Sequence, residues 1–374
     1  MEKLTPQSRI CLLRAEMTED KSIEQYKTDT TVNYSDHTQI KKVLLVGYGM
    51  YEGYFKSLSD AFEHNHCCCS HFRHENTNAR KIFETKGLRR IKNLLVIKSI
   101  NNKLLREVDR YAPDYIFIIN GEILLEETIA YLNKQSIVIL WLIDGIDNVK
   151  IMNHVLDKIK HVFVFEPDDL NKIHGSKYLP QCADAVLYRK VKTNKKYDVG
   201  FVGAGHEKRL GMLNEISLFC LENGYTFGVF GDYKTFFKKP ASERKKYIHL
   251  EKNIEANRKL TPFEVNEIFN QTKININIHH EQSKFGLNPR VFEIMASENF
   301  QLIDSQRELH SYFEEGISMS TYVNMDDLKS KILYYLKNEK ERDSIASNGH
   351  ELVLRNHLYI NRIKTVLENV GSPV

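Results

Sequence analysis

Three stretches of the chain carry side chains whose types and spacing could do chemistry. In KFGLNPRVFEIMASENFQLID (284–304), Asn288 has the side chain of a helix N-cap, and Pro289 suits the first helical position, where its missing N–H has no partner to lose. A helix is expected from Pro289, with Phe292, Met295 and Ala296 on the face that packs against a sheet. Arg290 and Glu293 are three residues apart and share a neighbouring face at the helix mouth, where the pair is either a solvated ion pair or part of a polar binding site. HNHCCCSHFRH (64–74) offers His and Cys, the usual ligands of zinc. On a strand, however, Cys67, Cys69 and His71 diverge from His66 and Cys68, so tetrahedral closure is difficult and cysteines filling a core strand are expected instead. GYGMYEG (47–53) spaces its glycines as G-x-G-x-x-x-G, not as the G-x-G-x-x-G of a dinucleotide fingerprint, and CCCSHF (67–72) supplies no acidic residue for a ribose. A tight turn that lets an acceptor approach the backbone is the preferred reading, and an NAD-dependent oxidoreductase is a disfavoured alternative.

The elements that must position these groups follow from the hydrophobic pattern. Apolar runs at 42–49, 67–72, 94–98, 115–120, 137–143 and 161–166 alternate with amphipathic stretches at 54–65, 102–112 and 124–135. Strand then helix, repeated, predicts a parallel sheet covered on both faces. After a linker the pattern restarts, with strands expected at 197–204, 227–232 and 273–280, helices near 207–223 and at 262–272, and a basic loop containing KKPASERKK (238–246). The expected organisation is a polar extension (1–40), two Rossmann-like units (41–190 and 197–346) and a helical stretch (347–374) that returns to the first unit.

Composition narrows the function classes. With 42% hydrophobic and 27% charged residues over 374 positions, the chain has the profile of a soluble globular protein. A formal charge of +4 is too weak a bias to argue for nucleic acid, although KGLRRIK (86–92) and KKPASERKK could touch an anionic membrane surface. The longest apolar run, IVILWLI (137–143), is too short to span a bilayer, and the N-terminus lacks the order of a signal peptide. A cytoplasmic protein, with peripheral contact at the inner face of a membrane as an option, is expected. Six cysteines (11, 67, 68, 69, 182 and 220) without CxxC spacing are expected to be free thiols.

Ligands of open α/β sheets bind beyond the carboxyl ends of the strands. Those loops carry Gly47, Gly49, Gly53, Asn120, Asp144, Asp147 and Glu166 in the first half. In the second half they carry Gly203, Gly205, His206, Arg209, Gly231, Asp232, His279, His280 and the 284–304 segment.

Four ordered motifs then make the chain similar to a known family. DVGFVGAGHEKRLGMLNEI, NEIFNQTKININIHH, GLNPRVFEIMASENFQLIDSQRELHSYFEEG and DLKSKILYYLKNEKERDSIASNGHELVLRNHLYINRI together resemble the CgeB-like glycosyltransferases. The resemblance covers residues 197–368 and reaches the first half through element order, WLID (141–144), FVFEPDD (163–169) and YLP (178–180). It implies a GT-B fold, two Rossmann-like domains facing each other across a cleft, with a group 1-like C-terminal domain. It also implies transfer of a hexosyl or related group from a nucleotide diphosphate sugar to a glycan, glycolipid or other hydroxyl acceptor, as in polysaccharide biosynthesis. Donor contacts are then expected from Gly203, Gly205, Arg209, His280, Gly286, Leu287, Asn288, Arg290 and Glu293. The helix mouth, Arg290 and Arg209 would face the diphosphate, and Glu293 the ribose diol. Acceptor contacts are expected from Gly49, Met50, Tyr51, Asp144 and Glu166.

As catalytic groups, Arg209 and Arg290 would stabilise the leaving diphosphate without a metal, since no DxD-like pair sits in a suitable loop. Inversion needs a base, for which Asp144 is the first candidate beside Asp147 and Glu166, whereas under retention the departing phosphate can take the proton. Many related retaining enzymes carry two glutamates eight positions apart, and Phe285 stands at the earlier position here, so both courses stay open. A non-catalytic nucleotide-sugar-binding, coat or assembly protein is the second alternative.

Overall fold

Both faces of the strand β1 (Lys41–Tyr48) are covered, which is why its centre reads VLLV without polar alternation: Val43, Leu44, Leu45 and Val46 are all buried. The computed structural model describes residues 40–49, 52–74, 88–149, 153–279 and 285–371. The expectations placed on residues 1–39, Met50, Tyr51 and His280 lie outside the described residues.

The first sheet contains β1, β2 (Cys67–His74), β3 (Tyr115–Ile119), β4 (Ile137–Leu142), β5 (His161–Val164) and β6 (Lys177–Tyr178), in the order β2-β1-β3-β4-β5-β6. The second contains β7 (Tyr197–Val202), β8 (Phe227–Gly231), β9 (Ile254–Asn257), β10 (Thr272–Asn277), β11 (Gln301–Asp304) and β12 (Ser320–Tyr322), in the order β12-β11-β10-β7-β8-β9. Every pairing is parallel. Strand order reverses between β1 and β3 and again between β7 and β10, and such switch points open crevices at the carboxyl ends of the strands. Among the described residues, no helix is long and apolar enough to cross a membrane.

Two local expectations are corrected. LLVIK (94–98) is not a strand but part of the helix Leu88–Tyr111. Its apolar residues divide between faces: Ile97, Leu104 and Val108 are buried at helical spacing, whereas Leu94 and Leu95 are 44% and 63% exposed. Buried Asn101 sits on the inner face of this helix and donates to the carbonyls of Ile97 (2.9 Å) and Ile123 (2.8 Å). The expected basic loop is instead a run of short helices, Lys234–Phe237, Ala241–Arg244 and Ile248–Asn253, inserted between β8 and β9.

The cysteine-rich stretch forms β2, with Cys67 buried and Cys68 exposed. Cys67, Cys68, Cys69, Cys182 and Cys220 are free thiols. His74 at the end of this strand is pushed down to about 4 by burial. Among the described residues, no group of three His, Cys, Asp or Glu side chains is arranged to hold a metal ion.

The chain crosses between the sheets after β6 and again at His357. The helix Glu339–Asn356 buries Val353 in the same core as Phe292 and Met295 of the helix Pro289–Ala296. The next helix, Tyr359–Val370, buries Ile363 and Val366 with Phe62, Phe117 and Trp141 of the first sheet's core. At the crossing, Ala183 N–H donates to the His357 carbonyl (3.1 Å) and Tyr359 N–H to the Ala183 carbonyl (3.3 Å).

Buried Arg362 ties the two crossings together. Its guanidinium donates to the carbonyls of Pro180 (2.9 Å), Gln181 (3.0 Å) and Asn356 (3.1 Å) and to His357 Nδ1 (2.8 Å), and it lies 5.8 Å from the Phe292 ring centroid. Because a guanidinium only donates, Nδ1 must accept and the His357 ring is neutral. Burial, and then the charge of Arg362, push His357 down to about 3.

Arg362→Ala is expected to lower unfolding free energy by about 3 kcal/mol, measured by denaturant titration, because several buried carbonyls lose their donor together. A histidine whose folded value is depressed binds its proton more readily in the unfolded chain, so stability falls as pH drops from about 6.5 towards 3. His357→Gln should therefore lose about 2 kcal/mol less stability than the wild type between pH 6.5 and 5, a difference readable from parallel melts. His74 contributes with the same sign to both proteins and cancels.

Candidate functional site

The second switch point is where the expected donor residues gather. Beyond β7 the chain turns through Gly203, Ala204 and Gly205, and the helix Glu207–Glu222 follows. A Cβ on Gly205 would stand 2.4 Å from the Tyr233 ring, so only glycine lets the turn lie against it. Arg209, in the first turn of the helix, folds back across the crevice between β7 and β10. Its Nη2 donates to the Ile278 carbonyl (2.7 Å), its Nη1 to the Ala204 carbonyl (3.4 Å), and its guanidinium lies 5.6 Å from the Phe201 ring centroid. Burial lowers the pKa of this arginine, and its Nε finds no acceptor among the described residues.

The helix Pro289–Ala296 begins where the sequence places it. Asn288 Oδ1 accepts from the Val291 N–H (3.3 Å), while its Nδ2 donates to the Asn277 side chain (2.9 Å). Phe292, Met295 and Ala296 are buried as expected. Arg290 Nη1 and Glu293 Oε2 form an ion pair. The two side chains are 30% and 13% exposed, so this is a recessed pair with an open edge and not a solvated surface pair. Burial works against the Arg290 charge, but Glu293 and Tyr188 outweigh it and raise the arginine's pKa. Phe269 stands 5.7 Å from the guanidinium. Tyr188 is held well above the usual phenol range, first by burial and then by the Glu293 carboxylate.

A cavity of about 590 Å³ opens onto these groups, a size suited to a small ligand. Gly203, Arg209, Asn288, Arg290 and Glu293 line it from the second domain. The opposite wall carries Gly53, Tyr54 and Ser57 from the helix Glu52–His64, Asp184 from the linker, and Tyr359 from the returning helix.

The remaining expected residues lie elsewhere or play a supporting part. Leu287 is buried in the second domain's core, and Gly205 packs against Tyr233. Gly49 and Asp144 do not line the cavity. Asp144 accepts from Asn120 Nδ2 (3.0 Å), and Asn120 Oδ1 takes the Ile143 N–H (2.9 Å), so the pair shapes the turn after β4. Asp147 is exposed and pairs with Lys172 (2.7 Å). Glu166 is buried and reaches across the domain junction, where its carboxylate accepts from the N–H groups of Phe285 (3.1 Å) and Gly286 (3.3 Å). A Cβ on Gly286 would meet both the ring and the carbonyl oxygen of Phe165 at 2.8 Å, so the glycine permits this approach. His279, beside the undescribed His280, is buried with Nδ1 2.6 Å from Asp304 Oδ1, while its Nε2 has no partner among the described residues.

Sequence reasoning missed Ser57, Asp184, Tyr188 and Tyr359. Asp184 accepts from Ser57 Oγ (2.6 Å) and from the N–H groups of Val186 (2.8 Å) and Leu187 (3.2 Å). That local turn chemistry was readable in ADAVL, but nothing in the sequence pointed it at the cavity.

Residues 212–368 match the family model described as glycosyl transferase-like. A comparison with curated proteins finds no match. Among solved structures, the chain is similar to sucrose-phosphate synthase from Thermosynechococcus elongatus, with 10% identity and a TM-score of 0.62 over 88% of this chain and 99% of that one. It is similar to a glycosyltransferase from Rickettsia africae, with 11% identity and a TM-score of 0.64 over 89% of this chain and 98% of that one. Anabaena HepE, in complex with UDP and glucose, shares 12% identity and a TM-score of 0.61 over 88% of this chain and 99% of that one. The two parallel sheets thus form a GT-B fold, and residues 212–368 within it carry the match to the glycosyl transferase-like model.

Proposed function

We propose that the protein is a CgeB-like glycosyltransferase that moves a sugar from a nucleoside diphosphate to a hydroxyl on a glycan or lipid-linked acceptor. The observation that carries this reading is the convergence of Arg209, Arg290, Glu293 and the Asn288-capped helix mouth on one cavity at the second sheet's switch point. As the bond from the sugar to the diphosphate breaks, negative charge grows on the leaving oxygen. Arg209 and Arg290 supply positive charge there in a metal-independent reaction, and the helix N-terminus adds N–H donors. Glu293 orients Arg290 and offers carboxylate oxygen to the ribose diol.

The acceptor enters against Gly53, Tyr54, Ser57 and Asp184. Its oxygen bonds to the anomeric carbon, the bond to the phosphate oxygen breaks, and the acceptor proton passes to the departing phosphate. That route suits retention of configuration and needs neither Asp144, which shapes a turn, nor Glu166, which is engaged across the junction.

A thermal-shift panel of UDP, GDP, ADP, TDP, CMP and NAD(H) tests the donor assignment. UDP leads the panel because HepE holds it. One nucleoside diphosphate should stabilise the wild type, by about 2.7 kcal/mol at a hundredfold excess over its Kd. The effect should vanish in Glu293→Ala and weaken with the 2′-deoxy form of the same nucleotide. Stabilisation by NAD(H) alone would support the oxidoreductase, and binding without turnover over a broad acceptor set would support the non-catalytic reading.

With the donor in hand, Arg290→Lys should lower kcat by about a hundredfold, because an ammonium cannot reproduce the planar guanidinium's contacts. Asp184→Asn keeps the turn and should hold kcat within about tenfold. A larger loss would make Asp184 the base and overturn proton transfer to the phosphate.

A further inference from the structure

The helical insertion between β8 and β9 carries a charge of its own. Residues 234–253 contain seven Lys or Arg and two acidic residues, a surplus of five, whereas the whole chain has a net charge of +4. The rest of the molecule therefore sums to −1, and the insertion is one of its most basic segments beside residues 189–196. Lys239 pairs with Glu207 and Glu243, and Arg244 with Glu251. Lys234, Lys238, Lys245, Lys246 and Lys252 are exposed and make no ion pair among the described residues.

The element has two faces. Phe236 and Leu250 are buried in the second domain's core beside Tyr233, which fixes the insertion to the sheet. Outside, Phe237 is 37% and Ile248 48% exposed. The Arg244 guanidinium lies 5.7 Å from the Phe237 ring centroid, and Ile248 opens the next helix, Ile248–Asn253. Lys252 stands four residues after Ile248 on the same helix, the spacing of neighbours on a helix surface, and Lys245 lies in the turn just before it. Two apolar side chains thus project among unpaired lysines.

We infer that residues 234–253 dock the protein on an anionic membrane surface, with Phe237 and Ile248 entering the headgroup boundary and the lysines facing lipid phosphates. Charge complementarity selects an anionic partner. The exposed apolar pair selects a bilayer over a nucleic acid, whose phosphate backbone would leave those side chains unburied. The insertion leaves the carboxyl end of β8 beside Tyr233, whose ring packs against the Gly203–Gly205 turn, and Lys239 and Tyr247 reach Glu207, so its first part shares the cavity's end of the second sheet before the chain runs back to β9. Docking turns that end towards the lipid, and, resting on the transferase reading, the acceptor is a lipid-borne hydroxyl.

The test is co-sedimentation of the full chain with vesicles of phosphatidylcholine alone and of phosphatidylcholine mixed with phosphatidylglycerol, at low and high salt. Binding is expected only to the anionic vesicles and should weaken with salt. Lys245→Gln, Lys246→Gln and Lys252→Gln combined should weaken it at least about tenfold, since each lysine near the surface is attracted to the anionic headgroups. Phe237→Ser with Ile248→Ser should weaken it at unchanged charge, and this second variant decides the matter if the first does not fold. Removing the same charge from the first domain through Lys98→Gln, Lys103→Gln and Lys134→Gln, all exposed, should leave binding intact. Absence of anionic-vesicle binding, equal loss in that control, or displacement of the vesicles by single-stranded RNA would overturn the proposal. The vesicle assay contains no nucleoside diphosphate, so its failure and failure of the donor panel are read separately.

Discussion

A buried cation without a carboxylate partner holds the two halves of this protein together. Arg362 takes its acceptors from three main-chain carbonyls and a neutral imidazole, contributed by both crossings between the domains. Burying a charge is costly unless every donor is satisfied, and carbonyl dipoles converging from two chain segments provide that only when both crossings are in place. The guanidinium also lies over Phe292, in the helix that presents Arg290 and Glu293. The order of the junction is thus passed to the helix mouth by direct contact, and the cavity inherits its shape from the crossing.

Glu166 acts on the segment that leads into the same helix. Its carboxylate extends from the end of β5 to the backbone just before Asn288, and Gly286 leaves room for Phe165 to come within contact. Arg362 meets the helix at Phe292 and Glu166 meets the chain just before it. Rotation of one domain against the other would break charge-assisted hydrogen bonds at the second position, which favours a defined closed geometry. The Arg290–Glu293 pair then faces the cavity from a helix whose start is positioned by its own Asn288 cap and by contacts from the first domain.

Much of this architecture was legible because parallel sheets announce themselves in continuous apolar runs. β1, β3, β4 and β5 were readable on that basis, and the Asn288–Pro289 helix start was readable from capping chemistry. LLVIK failed because a five-residue apolar run has no period of its own, and only the partners of Ile97 and Asn101 reveal the helix. β11 and β12 are short segments whose strand identity depends on pairing, β11 with β10 and β12 with β11. Within the site, Arg209, Arg290 and Glu293 could be singled out because each stands in a recognisable segment, and all three line the cavity. Asp184, Ser57 and Tyr359 were not, because their meeting depends on a linker and a returning helix that are far apart in sequence. Glu166 was recognised as a loop carboxylate, but the direction of its side chain is a property of the domain junction.

The returning helix also sets the order in which the molecule can be completed during synthesis. Ile363 and Val366 belong to the core of the first sheet, yet the ribosome makes them after the whole second sheet. The first domain must therefore remain without one of its packing layers while the second is translated, and the two domains cannot mature as independent units in chain order. Tyr359 arrives with the same helix, so the cavity gains its last wall only then. A nascent chain that already displays Arg209, Arg290 and Glu293 still has an incomplete cavity, and its two domains are completed at the same moment.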